Sequence, residues 1–465
     1  MIDNESLSAA APAAPAKPEL LPASPRRRRG ARNVVVAVVL AAVVAVSGVV
    51  GTSTDVEASR YDASVDSTTA DIQAYWTTTM PSVYGAAYKP IPSNRLFAYS
   101  STNPPPACGG YGRTTPYQQV AGNAFYCPAG DFIAWDEQAL FPKLRAQYGG
   151  FAPALVLAHE WGHAVQARVG FETHQTVYME QQADCFTGSW AAHVASDGRL
   201  AASDLDNALA GLLGLRDPSG VDSSADGAHG NGFDRVRAFQ DGFEGGAKVC
   251  AGYEDDPPIV TQSGFTSYAD YATGGDMSLT DLLPALTKSL DAYWSDAAPN
   301  IESAPKVVAY DASGAPASAP RCSSSTDGGV LVDSVLYCPQ TDTIAYDHAT
   351  LQQAASEVGD FAAGLLLAAG YSSAIQQRLG IPLGSVASRQ VATCLTGAYA
   401  ASLDASVSSR RASSSDITLS PGDLDEVIAM LVKPDGTNGG RGTAFSRVAA
   451  FRTGYFEGVA ACIKV

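Results

Sequence analysis

The sequence is poor in basic residues and in histidine. Lys and Arg number 30 against 47 Asp and Glu, and there are only six His in 465 residues. The first 33 residues hold six of the basic residues against three acidic ones, which leaves 24 basic against 44 acidic residues, a net charge of −20, in the remainder. A chain this acidic lacks the cationic surface that nucleic acid or anionic lipid needs. We therefore expect no nucleic acid among its partners.

Cysteine is sparse for a chain of this length. There are eight, and no two of them form a CxxC pair. We therefore expect no metal site built from cysteines, and the cysteines are candidates for disulfides instead.

The chain has one uncharged apolar run of 18 residues, 34–51, directly after a basic cluster. The length is at the lower limit for a bilayer span, and the preceding positive charge predicts a cytoplasmic N-terminus. We predict a disordered tail over 1–33, a transmembrane signal anchor over 34–51 and a linker over 52–63, with the bulk of the chain extracytoplasmic. A cleaved signal peptide, which would leave a secreted protein, is the alternative.

The sequence HEWGH at residues 159–163 is an HExxH motif. Residues i and i+4 share one face of a helix, so His159 and His163 can offer two imidazole nitrogens to one metal ion. Glu160 lies where it can reach a metal-bound water. Glycines flank the apolar stretch 151–169, which predicts that the motif lies in a buried helix. Zinc is the expected ion, and two buried histidines without a metal are the alternative.

A third ligand is available downstream. Glu180 and Asp184 are also spaced i and i+4, on the inward side of an Ala- and aromatic-rich segment. Two buried carboxylates are costly without a cation. We predict Glu180 as a zinc ligand and Asp184 as the acceptor that orients a ligand histidine, against the alternative of an exposed acidic pair.

HEWGH followed by EQQADCFTG resembles the putative neutral zinc metallopeptidases, a bacterial family with a glutamate zinc ligand, and more distantly the minimal gluzincins. The resemblance covers about residues 64–250. It implies peptide or protein substrates and a zincin-like fold. The roles that it implies are general base for Glu160, zinc ligand for His159, His163 and Glu180, and orientation of a ligand for Asp184.

Two later residues match the family near its site. His229, in an Ala-His-Gly sequence, and Arg235 resemble the family's His-Gly and Arg positions. We infer that His229 could stabilise the oxyanion of a tetrahedral intermediate; a simple loop histidine is the alternative.

The second part of the chain echoes the first with a period near 210 residues. The Tyr-Cys-Pro at 126–128 returns at 337–339, and the Cys-Phe-Thr-Gly at 185–188 returns as Cys-Leu-Thr-Gly at 394–397. This period is too long for a solenoid, so it predicts a duplicated domain. We assign the metallopeptidase domain to 64–254, a linker to 255–275 and a degenerate repeat to 276–465.

The repeat lacks the candidate ligands. His159, Glu160 and His163 align with Ala369, Gly370 and Ser373, and Glu180 and Asp184 align with Arg389 and Thr393. We therefore predict that the repeat binds no zinc in this way and is catalytically inactive.

The matched separations between repeats also predict the disulfides. Each repeat has four cysteines, which allow three pairings. The pairs that keep similar separations in both repeats are Cys108–Cys127, Cys185–Cys250, Cys322–Cys338 and Cys394–Cys462.

Together these patterns predict a mostly helical α+β protein in which a zincin-like domain is duplicated in tandem behind one transmembrane helix. The weakly alternating segment 131–136 is a candidate for the edge strand that binds a substrate backbone. The predicted function is a membrane-anchored zinc metallopeptidase. A surface-exposed binding or scaffolding protein with a structural or vestigial zinc site is the alternative, and a cell-wall amidase would use the same metal chemistry.

Overall fold

The computed structural model of the protein describes most of the chain beyond residue 60. The described residues are 61, 63–109, 112–171, 175–225, 227–261, 263–265, 267–298, 303–311, 330–332, 335–404, 407, 417–433 and 442–463. The predicted tail over 1–33 and the predicted anchor over 34–51 lie outside these ranges. Within the ranges, none of the helices combines the length and the apolar character that a bilayer span needs.

The protein is mostly helical, with two small sheets. The first part of the chain, residues 61–254, is called the first half here; its elements are α1 (Val65–Tyr84), β1 (Leu96–Tyr99), α2 (Tyr117–Val120), β2 (Ala124–Cys127), β3 (Phe132–Asp136), α3 (Leu140–Tyr148), α4 (Ala152–Val169), α5 (Thr176–Ser196), α6 (Ala202–Gly214), α7 (Gly232–Gly245) and α8 (Ala247–Gly252). The following helix is α9 (Tyr268–Thr273). Residues 276–463, the second half, contain α10 (Leu279–Ala297), β4 (Lys306–Tyr310), β5 (Val330–Val332), β6 (Val335–Cys338), β7 (Thr343–Asp347), α11 (His348–Glu357), α12 (Asp360–Arg378), α13 (Val386–Leu403), α14 (Asp423–Val432), α15 (Ala444–Glu457) and α16 (Val459–Cys462).

The sheet of the first half has the strand order β1-β3-β2. β3 pairs in parallel with β1 and antiparallel with β2, and all five of its residues are buried. The expectation that residues 131–136 form the edge strand is therefore wrong, because neighbours occupy both sides of β3. β1 and β2 are the strands at the two edges, and β2 lies next to helix α4.

The helices α4 and α5 approach each other closely because a glycine lies between them. A Cβ atom at Gly162 would lie 2.8 Å from the Cα of Ala183. α5 packs as closely against α7, where a side chain at Gly188 would overlap the carbonyl of Phe239. Small residues thus bring α4, α5 and α7 into direct backbone contact, which sets the spacing of the side chains that they carry.

The second half shows the same strand directions as the first. β7 pairs in parallel with β4 and antiparallel with β6, and a further strand, β5, extends the sheet beyond β6. The two halves pack together within one unit that spans residues 57–465. The domain boundaries expected at 254 and 276 stay a prediction.

Reciprocal contacts join the halves. Oδ1 of Asp425 accepts the N–H of Phe233 at the start of α7 at 3.0 Å, and Oδ1 of Asp206 accepts the N–H of Phe445 at the start of α15 at 2.9 Å. The ring of Phe233 lies 5.0 Å from that of Tyr455 in α15. Each half therefore caps a helix of the other across an apolar interface.

Three of the four predicted disulfides are present, namely Cys108–Cys127, Cys185–Cys250 and Cys394–Cys462. Cys185 lies beside Asp184 on α5, so its disulfide ties this helix to α8. Cys322 lies outside the described residues, so the pair Cys322–Cys338 stays a prediction.

Candidate active site

The structure brings His159, His163 and Glu180 together at the interface of α4 and α5. Nε2 of His159 lies 3.2 Å from Nε2 of His163 and 3.1 Å from Oε2 of Glu180, and Nε2 of His163 lies 3.3 Å from Oε1 of Glu180. The imidazole rings are perpendicular, with centroids 4.8 Å apart. Both rings therefore direct Nε2 to the same point as the carboxylate.

These distances fit a zinc ion. Tetrahedral Zn–N and Zn–O bonds of about 2.0–2.1 Å place any two ligand atoms about 3.3–3.4 Å apart. The distance of 3.2 Å between the two nitrogens is close to that value, and so are the 3.1 and 3.3 Å from the nitrogens to Glu180, which end on its two different oxygens. Two nitrogens and one oxygen are also the donor set of catalytic zinc sites, which keep the fourth position open. The residues present thus fit zinc with only small adjustments.

His159 is fixed through its other ring nitrogen. Nδ1 lies 2.8 Å from Oδ1 of Asp184, and Arg235 holds both oxygens of this carboxylate at 2.9 and 3.0 Å. Burial alone would raise the pKa of Asp184, but the charges of Arg235 and His159 hold that pKa below its usual value. The ionised Asp184 accepts the Nδ1–H, which leaves the lone pair of Nε2 for a metal.

His163 is fixed in the same way by a residue that the sequence reasoning missed. Oε1 of Gln166 lies 2.9 Å from Nδ1 of His163, and Nε2 of Gln166 donates to the carbonyl of Met179 at 2.7 Å and to Oε1 of Gln182 at 3.0 Å. Gln166 is fully buried. Its position three residues after His163, on the face of the motif, was the available signal.

The electrostatics of the site favour a cation. Burial would lower the pKa of an imidazole, yet the carboxylates of Asp184 and Glu180 raise the pKa of His159 to about 10. Conversely, burial would raise the pKa of Glu180, but the two imidazoles hold this pKa well below its usual value. Positive charge at the imidazoles, from protons or from a metal ion, is therefore what the buried carboxylates stabilise.

His159, His163 and Glu180 are called the ligand triangle here. Glu160 lies beside the ligand triangle and is held by the sheet. Its Oε2 accepts the N–H of Tyr126 on β2 at 2.7 Å, and the residue is only 7% exposed. One carboxylate oxygen is therefore anchored to the edge strand, and the other remains for proton transfer.

A cavity of about 570 Å³ opens over these residues. Its polar part contains His159, His163, Glu180 and Glu160. Its walls are apolar, with Phe125, Leu140, Leu144, Val156, Phe171, Met179, Leu212 and Leu215 among the lining residues. This volume lies within the usual range for ligand sites.

His229 and Arg216 lie at the same cavity. The side chain of His229 is 54% exposed, and its Nδ1 lies 3.5 Å from Oδ1 of Asp217. The structure gives it no hydrogen bond to the ligand triangle. Arg216, which the sequence did not indicate, pairs through Nε with Oδ2 of Asp425 at 2.9 Å.

The corresponding place in the second half is nearly closed. A small cavity of about 50 Å³ is lined by Ala369, Ser373, Arg389 and Thr393. A Cβ atom at Gly370 would lie 2.8 Å from Val335 and 2.9 Å from Ile344, so the sheet occupies the space that a glutamate would need.

One other group of carboxylates among the described residues lies close enough to share an ion, that of Asp276, Asp360 and Glu426. Asp360 accepts the N–H of Met277 at 2.7 Å, and Glu426 accepts the N–H of Phe361 at 2.9 Å. These two carboxylates already cap backbone N–H groups.

Residues 41–253 match the model of the family described as putative neutral zinc metallopeptidase. The chain is 30% identical over 154 residues to the uncharacterized protein YpfJ of Escherichia coli (strain K12), which covers 28% of this chain and 53% of the relative. It is 28% identical over 157 residues to the uncharacterized protein Rv2575 of Mycobacterium tuberculosis, covering 27% of this chain and 53% of the relative. The chain thus spans about half the length of the curated relatives it matches, and no solved structure matches it. The resemblance predicted from the HExxH and ExxADC motifs is confirmed, because residues 41–253 match the model of that same family.

Proposed function

We propose that this protein is a zinc-dependent metallopeptidase that hydrolyses peptide bonds in the cavity over α4 and α5. The observation that carries the proposal is the ligand triangle of His159, His163 and Glu180, whose nitrogen–nitrogen and nitrogen–oxygen distances of 3.1 to 3.3 Å suit tetrahedral zinc. The Nδ1 atoms of both histidines already have acceptors, Asp184 and Gln166, so that both Nε2 atoms are available.

Zinc bound there would lower the pKa of a water and polarise the scissile carbonyl. Glu160 accepts the proton of the attacking water and passes it to the leaving amine. The N–H of Tyr126 holds the other oxygen of Glu160, which keeps the base in one orientation. His229, at the rim, donates a hydrogen bond to the developing oxyanion.

The edge strand β2 supports a peptide as the substrate. Residues 122–126 line the cavity, and no strand among the described residues pairs with the outer edge of β2. Ala124 and Tyr126 direct their N–H groups away from β3, to side chains of Asn123 and Glu160. In an antiparallel strand the carbonyls of such residues face the same open edge, where an extended peptide can add as a further strand.

The proposal includes a tandem duplication with one active copy. Shared strand directions and the matching disulfides of α5 and α13 support the duplication. Ala369, Ser373 and Arg389 in place of the ligands, and the sheet side chains around Gly370, support a second half without zinc chemistry.

The proposed location is outside the cytoplasm, behind an anchor over residues 34–51. The disulfides support it, because such bonds persist in oxidising compartments. Cleavage of the anchor would yield the same enzyme in secreted form.

The test compares wild type with Glu160→Gln and His229→Ala. We expect about one zinc per chain in all three proteins, by elemental analysis. The wild type should cleave an unfolded protein, Glu160→Gln should lose turnover, and His229→Ala should lose turnover in part.

Zinc without any cleavage by the wild type would favour the scaffolding alternative. Retained proteolysis by Glu160→Gln would reject Glu160 as the base. Unchanged turnover in His229→Ala would reduce His229 to a loop residue.

A further inference from the structure

Asp425 of the second half reaches the candidate active site of the first half. The residue is 4% exposed, and its carboxylate makes two contacts across the interface. Oδ1 accepts the N–H of Phe233 at 3.0 Å, and Oδ2 lies 2.9 Å from Nε of Arg216. Phe233 lies in the first turn of α7, the helix that carries Arg235, and Arg235 binds Asp184. A single buried carboxylate therefore contacts both the helix that supports the metal site and a cation at the cavity.

The reciprocal carboxylate has no such connection. Asp206 of the first half accepts the N–H of Phe445 at 2.9 Å. Within the described ranges, Asp206 forms no ion pair, and Phe445 lies in the first turn of α15, in the half that lacks the ligand triangle. Asp206 and Asp425 therefore do the same structural work, but Asp425 alone holds a cavity residue.

Arg216 is the guanidinium that a ligand in this cavity can reach. The other one, Arg235, has a side chain that is 5% exposed and binds both oxygens of Asp184. The side chain of Arg216 is 37% exposed, and its Nη1 donates to the carbonyl of Leu213 at 2.8 Å. With Nε and Nη1 both engaged, the orientation of the guanidinium is set before a ligand arrives, and Nη2 has no hydrogen bond to any residue that the structure describes.

We propose that the second half completes the substrate cleft of the first: Asp425 holds Arg216 at the cavity, and Arg216 binds a carboxylate of the peptide substrate. This inference rests on the proposed peptidase function and adds a substrate class to it. A guanidinium binds carboxylates through paired, charge-assisted hydrogen bonds. The carboxylate can come from the substrate's C-terminus or from an acidic side chain near the scissile bond.

Three matched peptides distinguish these sources. One has a free C-terminus, one is C-terminally amidated, and one is amidated but contains a Glu in place of a Gln. We expect the wild type to prefer a carboxylate peptide by at least about tenfold in kcat/KM, mainly through KM, because a hydrogen bond to a charged group is worth about 1.5–3 kcal/mol. Preference for the first peptide assigns the C-terminus, and preference for the third assigns the side chain.

The variants are Arg216→Gln, Asp425→Asn and Asp206→Asn. Arg216→Gln should lose the preference. Asn can still accept the backbone N–H at either interface position, so Asp425→Asn and Asp206→Asn each remove only one charge. We expect Asp425→Asn to reduce the preference several-fold and Asp206→Asn to retain it, at similar melting temperatures.

A binding measurement separates this inference from the peptidase proposal. The zinc-loaded Glu160→Gln protein, with and without Arg216→Gln, is titrated into the same peptides carrying a fluorophore, and anisotropy gives the affinity. If the wild type cleaves nothing, the peptidase proposal fails, but a carboxylate-dependent affinity that Arg216→Gln removes still supports the role of Arg216. No carboxylate preference in either assay, or a preference that survives Arg216→Gln, overturns it. Equal effects of Asp425→Asn and Asp206→Asn overturn the role of Asp425, and Arg216→Gln decides the question if Asp425→Asn does not fold.

Discussion

Gln166 is the residue whose role can be tested most sharply. Its side chain makes three hydrogen bonds, accepting from Nδ1 of His163 and donating to Met179 and Gln182. Gln166→Leu keeps the volume and removes all three. We expect zinc affinity to fall about 10- to 100-fold, as for other partners of metal-bound histidines, which corresponds to about 1.4–2.7 kcal/mol. The metal-free protein should also lose about 2 kcal/mol of unfolding free energy, because two buried acceptors lose their donor.

The second half supplies a control, Gln376. It aligns with Gln166 at the same offset of 210 residues that aligns His159 with Ala369. Oε1 of Gln376 is buried without a hydrogen-bond partner among the described residues, and the residue is 1% exposed. Gln376→Leu removes the same amide from a place where it makes no bond. We expect unchanged zinc affinity and an unfolding free energy that is equal or higher, since a buried polar group without a partner costs about 1–3 kcal/mol.

Competition against a chromophoric chelator measures the zinc affinity, and thermal melting with and without zinc measures the stability. Wild-type zinc affinity in Gln166→Leu would refute the argument that Gln166 orients His163. Equal losses of zinc affinity in Gln166→Leu and Gln376→Leu would refute the assignment of the metal to the first half.

Two further predictions concern stability. Burial and the neighbouring acids raise the pKa of Glu426 to about 9 and that of Asp423 to about 8. Carboxyls with a raised pKa stabilise the fold below about pH 4 and lose that contribution as the pH rises through 8 to 9. Glu426→Gln, which keeps an acceptor for Phe361, should therefore gain several kcal/mol over wild type at pH 8, because each unit between the ordinary pKa and the pH is worth about 1.4 kcal/mol, and nothing at pH 4; parallel melting curves across pH would contradict this. Replacing Cys185 and Cys250 together by Ser opens a loop of 65 residues, and the double variant should lose about 4 kcal/mol in chemical denaturation, whereas a loss under 1 kcal/mol would mean that the helix contacts alone fix α5.

The parts of the site that the sequence predicted depend on local geometry. Helical spacing put His159 and His163 on one face and Glu180 and Asp184 on another, and the structure brings the two faces together. The matched cysteine separations needed only a comparison within the chain. These inferences worked because a period of four residues, or a repeat, carries the information directly.

The parts that the sequence did not predict depend on tertiary contacts. Gln166 has no metal chemistry of its own, so its spacing of three residues from His163 was the one signal in the sequence, and its contacts with Met179 and Gln182 depend on the packing of α4 on α5. The strand order of the sheet is not encoded in any one strand. The sequence of residues 131–136 indicates a strand, but it does not show that β1 and β2 pair with both of its sides. Arg216 and Asp425 are distant in sequence, and no periodicity reports a contact of that kind.

The reciprocal interface explains why a half without metal ligands would keep its structural residues. In the proposed duplication, Asp425 caps α7, and Tyr455 packs 5.0 Å from the ring of Phe233. Loss of the second half would expose this ring and leave the N–H of Phe233, in the first turn of α7 and close to Arg235, without its acceptor. The close approach of α13 and α15 at Gly397 and the disulfide Cys394–Cys462 hold the surface that makes these contacts. Ala369 and Ser373 make none of the contacts named here, so metal chemistry could be lost from the second half while the packing that serves the first half was retained.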